Sequence, residues 1–193
     1  MKRIGILGGT FDPVHKVHLE LAQVALDTYD LDVVLFIPTG LPVRKLGKTH
    51  ASATHRLRML QEACQNTPGF EVSSLEVDRP EVTYTIETLR LLKERYGQHS
   101  ELFLILGEDT ATDLHTWKDS AEIAQLVTIL YAKRPGAGEG HELPAGFVFL
   151  ELPMPAQEIS SSYLRTLLAN GEDVSCYIPA EALAYIRKHA LYA

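Results

Sequence analysis

Cysteine is scarce in this 193-residue chain: there are two, Cys64 and Cys176. They fall on separate predicted helices, with no histidine or cysteine partner at ligand spacing. Two free thiols of a cytoplasmic protein are the plain expectation, and a cysteine-built metal site is not. Long hydrophobic runs are missing as well. None approaches the ~18 residues a membrane helix needs. The apolar stretch after Met1-Lys2-Arg3 is too short for a signal sequence and is soon followed by an acid. Positive charge is in deficit, with 18 Lys and Arg against 25 Asp and Glu and a net charge of -7 with histidines neutral. That argues against a protein held to nucleic acid by its overall field, but not against a phosphate-bearing small substrate, because sites are local. No repeat, low-complexity tract or coiled-coil stretch is present. Oligomeric state, a homo-oligomer included, is left open.

Hydrophobic residues make up 46% of the chain, enough for a substantial core. Ile4-Leu7, Val33-Pro38, Leu102-Leu106 and Leu126-Tyr131 are nearly continuous in Val, Ile, Leu and Phe. Continuous rather than alternating runs belong to parallel strands covered on both faces. Phe70-Leu75 and Phe147-Leu152 are weaker candidates, nearer an edge. Helical patterns lie between them: Val17-Tyr29 with Leu21, Val24, Ala25 and Thr28, Ala53-Asn66 with Leu57, Leu60, Ala63 and Cys64, and Thr85-Tyr96 with Ile86, Leu89, Leu92 and the stem of Lys93. Strand alternating with helix predicts an α/β fold, a Rossmann-like doubly wound and mostly parallel sheet.

Lys133-Gly146, with four glycines and two prolines, reads as a long flexible loop. Beyond it, a helix over Ser161-Ala169 stops at Asn170-Gly171, and another starts at Pro179 with Leu183 and Ile186 inward. Residues 1-193 are expected to form one domain, with a small C-terminal helical extension from about residue 153.

The first strand runs into GGTFDPVHKVH, from Gly8 to His18. Gly8 and Gly9 either let backbone approach a ligand or simply make a turn. A helix starting near His15 or Lys16 would aim its dipole and amides at an anion. His15 and His18 stand one turn apart and point the same way. Neutral imidazoles there can donate to phosphoryl oxygens without bringing permanent charge. The alternative is a tight turn with Asp12 as a cap and two surface histidines. The spacing is neither GxGxxG nor a GK[ST] P-loop, and no HExxH accompanies the histidines.

Those residues resemble the nucleotidyltransferase superfamily marked by a GGxFDPxHxGH loop, and within it the bacterial nicotinate-nucleotide adenylyltransferase family. Gly8, Gly9, Phe11, Asp12, Pro13, His15 and His18 stand at the motif positions. The family's ISSTxxR signature is similar to Ile159-Ser160-Ser161-Ser162-Tyr163-Leu164-Arg165, about 140 residues on. Ile37-Gly40, Arg56 to Met59, Tyr84-Thr85, the strand into Gly107 and Asp109 followed by Trp117, and Arg134-Pro135-Gly136 also match. There are two departures. Val17 occupies the glycine position of HxGH, and Val43-Arg44 stands where Pro-His is usual before Lys45.

The resemblance implies transfer of AMP from ATP to nicotinate mononucleotide, in NAD biosynthesis. His15, His18 and Arg165 would carry the catalysis. Gly8, Gly9, Thr10, Phe11, Ser161 and Ser162 would bind ATP. Arg44, Lys45, Thr85, Asp109 and Trp117 would bind the second substrate, with Trp117 offering an apolar wall and Thr85 helping to receive the ring carboxylate. Mg²⁺ would ride on the ATP phosphates, with no dedicated protein ligands. Other acceptors, nicotinamide mononucleotide or phosphopantetheine, are alternatives, as is an ATP-binding protein whose rate Val17 has impaired. No nucleic acid or membrane partner is implied.

Overall fold

A computed structural model describes residues 1-41, 50-133, 142-155 and 159-193. Six strands, β1 (Arg3–Gly9), β2 (Val33–Pro38), β3 (Phe70–Val72), β4 (Glu101–Gly107), β5 (Val127–Ala132) and β6 (Phe149–Glu151), form one sheet in the order β3-β2-β1-β4-β5-β6. The pairs β1–β4, β4–β5 and β5–β6 are parallel; Ile4 sits opposite Leu102, and Leu104 opposite Ile129. All six residues of β2 are buried, as the unbroken apolar run requires of a strand covered on both faces. The order reverses at β1, whose neighbours β2 and β4 lead away in opposite directions. In open α/β sheets, ligands bind beyond the carboxyl ends of strands at such a switch point.

The helices are α1 (Lys16–Thr28), α2 (Ala53–Cys64), α3 (Thr85–Tyr96), α4 (Glu108–Thr112), α5 (Ser120–Leu126), α6 (Ser161–Ala169) and α7 (Ala180–Lys188). The apolar stripes differ in detail from expectation. In α1 the buried residues are Ala22 and Ala25, while Leu21 and Val24 are half-buried and Thr28 is exposed. In α2 they are Arg56, Met59, Leu60, Ala63 and Cys64, with Leu57 only half-buried. Leu126 closes α5 rather than opening β5. Cys176 is exposed in a turn rather than on a helix, and Cys64 is buried; both are free thiols.

By their contacts the residues group into two compact units. The first comprises Met1–Leu7, Leu21–Leu35 and Tyr84–Glu158. Its core is built from Ile4, Ile6, Ile86, Leu89, Leu104, Ile105 and Ile129, all nearly inaccessible to solvent. The second comprises Gly8–Glu20, Phe36–Thr83 and Ile159–Ala193. There α2 packs on α7, and Met59 and Leu60 of the one and Leu183 and Ile186 of the other are buried. The second unit therefore contains the whole glycine-histidine loop and the whole ISSS segment, although 140 residues of chain separate them. Among the described residues, no helix is long and apolar enough to cross a membrane.

Candidate active site

The loop leaving β1 is fixed from within. Phe11 has φ 50, a left-handed conformation that tyrosine-sized side chains rarely adopt. Its ring is 2% exposed and meets His18 edge-on with centroids 4.9 Å apart. A Cβ on Gly9 would stand 3.2 Å from that ring, whereas one on Gly8 would meet nothing within 4 Å. A side chain at Gly9 would press on that ring, which would have to give by a few tenths of an ångström. Gly8 faces open space.

His15 and His18 come together as the spacing predicts. Their rings stack with centroids 3.6 Å apart and 27° between planes. The His15 backbone N–H donates to His18 Nδ1 at 3.2 Å, and the His18 N–H donates to the His15 carbonyl at 2.9 Å. His18 thus reaches back to cap the start of α1 from its third residue, as the acidic residue of a capping box does. Burial lowers the His15 pKa to about 4. Burial, and secondarily His15 itself, holds His18 well below the usual histidine range. Both rings are neutral at pH 7. Because His18 Nδ1 accepts, its proton sits on Nε2, which can donate to a ligand. Among the described residues, the buried His15 Nδ1 has no hydrogen-bond partner.

The amides of α1 are less available than the sequence suggests. Lys16 N–H is spent on the Tyr177 carbonyl at 2.8 Å and the Lys16 amine on Ser175 O at 3.1 Å. Val17, second residue of the helix, is half-buried.

The ISSS segment docks on the loop. Ser160 caps α6, its hydroxyl accepting from Tyr163 N–H at 3.2 Å. Ser161 Oγ donates to the Pro13 carbonyl at 2.9 Å. Arg165 donates through Nη1 to the Asp12 carbonyl at 2.7 Å and through Nη2 to Ser162 Oγ at 3.1 Å. Guanidinium, both serines and the histidine loop are thus one bonded assembly, not a solvated helix face.

Two residues of that assembly carry more than the sequence indicates. Arg56, 1% exposed, donates to four carbonyls: Thr10 (2.8 Å), Thr39 (2.7 Å), Gly40 (3.1 Å) and Ala51 (3.3 Å). Its sequence signal is a cation on the apolar stripe with Met59, Leu60 and Ala63. Asp12, 3% exposed, accepts from the His50 and Ala51 amides at 2.9 and 3.1 Å. It therefore holds loop backbone, not the helix cap.

Thr85, Asp109 and Trp117 belong to the first unit. Thr85 opens α3 half-buried, Asp109 is exposed in the first turn of α4, and Trp117 is half-buried where a 3₁₀ turn over Leu114–Thr116 ends. The Lys118 amine donates to Glu87 Oε1 at 2.9 Å and lies 4.3 Å from the Tyr84 ring centre, tying Trp117's segment to the start of α3. Arg44, Lys45 and the Arg134-Pro135-Gly136 turn lie outside the described residues. Among those described, no group of three or more His, Cys, Asp or Glu could hold a metal ion.

Residues 6–167 match the family model described as Cytidylyltransferase-like. A Roseiflexus sp. (strain RS-1) protein named "Probable nicotinate-nucleotide adenylyltransferase" is 43% identical, over 98% of this chain and 97% of its own. One of the same name from Thermomicrobium roseum is 37% identical, over 100% of this chain and 92% of its own. In fold, the chain is similar to Plasmodium falciparum nicotinic acid mononucleotide adenylyltransferase complexed with NaAD. The TM-score there is 0.84 at 22% identity, covering 100% of this chain and 98% of that one.

Proposed function

The chain belongs to the nicotinate-nucleotide adenylyltransferase family, within the cytidylyltransferase-like nucleotidyltransferases, and from that membership we infer that it transfers AMP from ATP to nicotinate mononucleotide. A phosphate oxygen of the mononucleotide forms a bond to the α-phosphorus of ATP. The bond from that phosphorus to the β-bridging oxygen breaks, releasing pyrophosphate and leaving nicotinate adenine dinucleotide. The attacking oxygen is already anionic, so no general base is needed. The protein's task is to align two polyanions and stabilise the charge gathering on the leaving group.

One observation carries this reading: the loop that holds the stacked, neutral His15–His18 pair also seats Arg165 of α6 on its Asp12 carbonyl. His18 Nε2–H and the His15 ring then meet the phosphates near the scissile bond. Arg165, with N–H groups beyond the two it spends on Asp12 and Ser162, takes outer phosphate oxygens. Ser161 and Ser162 stand at the dipole-positive end of α6. Lys45 and Arg44 contribute positive charge from the segment between Leu41 and His50. Thr85, Asp109 and Trp117 serve the pyridine side. The donor set suits Mg²⁺ brought in by ATP: the histidines are neutral, and the Asp12 carboxylate is already committed to backbone amides. Mg²⁺ so bound offsets phosphate charge. Two unpaired thiols suit a reducing, cytoplasmic setting.

The test is pyrophosphate release from ATP and Mg²⁺ with nicotinate mononucleotide, nicotinamide mononucleotide and phosphopantetheine side by side, each product identified by chromatography. The nicotinate substrate is expected to win by at least about tenfold in kcat/KM. ATP binding without release from any acceptor would refute the reading and make Val17→Gly the next protein to examine.

A further inference from the structure

Asp12 joins four stretches of the second unit. Its carboxylate takes the His50 amide on Oδ2 and the Ala51 amide on Oδ1. A third donor also reaches Oδ1: the hydroxyl of Tyr192, at 2.7 Å. Its backbone carbonyl takes Arg165. The anion loop, the entry to α2, α6 and the segment after α7 therefore meet on one residue, itself 3% exposed. A buried carboxylate is costly unless its lone pairs are filled, and among the described residues Tyr192 is the donor to it that acts through a side chain.

Tyr192 arrives there by an unfavourable backbone. Ala190 has φ 49 and Tyr192 has φ 67, both in the left-handed region that disfavours a side chain. Such strain persists where surrounding contacts over-determine it, and it concentrates at functional sites. The contacts here are the Asp12 bond and the Met59 sulfur, 3.9 Å from the phenol oxygen. Burial, followed by the bond to Asp12, pushes the phenol pKa up, against the pull of Arg165 and Arg56 nearby. The hydroxyl therefore stays protonated and remains a donor.

We propose that Tyr192 is a positioning residue for adenylyl transfer: its hydroxyl orients the Asp12 carboxylate and, through it, the backbone that carries His15 and His18. Tyr192 touches no substrate. It acts through a residue whose carbonyl also seats Arg165, so losing the hydroxyl disturbs both phosphate-facing groups together. This rests on the transfer reading given above.

The test is Tyr192→Phe, which deletes one oxygen and keeps the ring. In the assay with ATP, Mg²⁺ and nicotinate mononucleotide, kcat should fall about tenfold while each KM stays within about twofold, because geometry rather than contact is lost. The melting temperature should drop by no more than about 4 °C, the worth of one hydrogen bond in a chain of this size. Amide exchange at His50 and Ala51 should quicken by about tenfold. Faster exchange with kcat unchanged would make the bond a brace only and overturn the inference; unchanged exchange would do so too. A wild-type protein that makes no product fails the transfer reading, and this inference with it. An active wild type matched by its variant fails the inference alone.

Discussion

At the scale of single residues, the histidine pair makes a prediction opposite to that of an exposed HxxH. Unfolded histidine titrates near 6.5, while burial lowers folded His15 to about 4. Between those values the unfolded chain binds a proton that the folded chain refuses, so stability falls as pH falls through that window. Above it the stability is fully present; below about 4 the loss is complete and levels off. For His15 alone the loss is on the order of 3 kcal/mol. His18 moves in the same direction. Thermal melts from pH 7.5 to 4 should show a steep decline for the wild type and a shallower one for His15→Asn. Equal slopes would mean that His15 is not desolvated. The sequence made the pairing of His15 with His18 legible because i,i+3 spacing on a helix start leaves little freedom. It did not reveal that His18 caps the helix, which depends on the ring turning back toward His15 N–H. Arg56 was legible as a motif match and as a cation on an apolar stripe, but its role was not. Its four carbonyl partners come from Thr10, Thr39, Gly40 and Ala51, and chain folding alone brings those together.

Among the elements, long uniform patterns were read to within a residue or two. Val33–Pro38, Thr85–Tyr96 and Ser161–Ala169 have the expected bounds, each set by a sharp change of composition or a cap. The seven-residue α5 was not foreseen, because so short a run as SAEIAQL carries too few turns for periodicity to register. The turn after β2 shows why a small residue follows Thr39. A Cβ on Gly40 would lie 2.2 Å from Glu76 O and 3.0 Å from Glu76 C. Both are backbone atoms, so no side chain can yield. Gly40→Ala must push the 39–40 carbonyls off Arg56, and its cost should be about 2–3 kcal/mol, a melting temperature lower by roughly 5–10 °C. Differential scanning calorimetry decides this, and a shift under about 2 °C would show that the 76–77 backbone gives way freely.

For the molecule as a whole, charge is divided unevenly. The second unit, with the histidine loop and Arg165, holds ten Lys and Arg against ten Asp and Glu; the first holds eight against fifteen. The entire net charge of -7 therefore belongs to the unit without the loop. The unit with the loop is neutral, so its donors attract phosphate at contact but project no net field outward. The net-charge term is the acidic charge of the chain, which opposes the approach of ATP and nicotinate mononucleotide. That term reaches about 30 Å at 0.01 M salt and about 8 Å at 0.15 M. Contact pairs around His15, His18 and Arg165 are partly buried and lose much less to screening. Raising salt from about 0.01 to 0.15 M should therefore raise kcat/KM by about two- to threefold, the reverse of a protein that steers anions with a basic face. Initial rates at limiting ATP and fixed Mg²⁺ would read it. A steady fall over that range would show that individual cations, not the net charge, govern the encounter at distance instead.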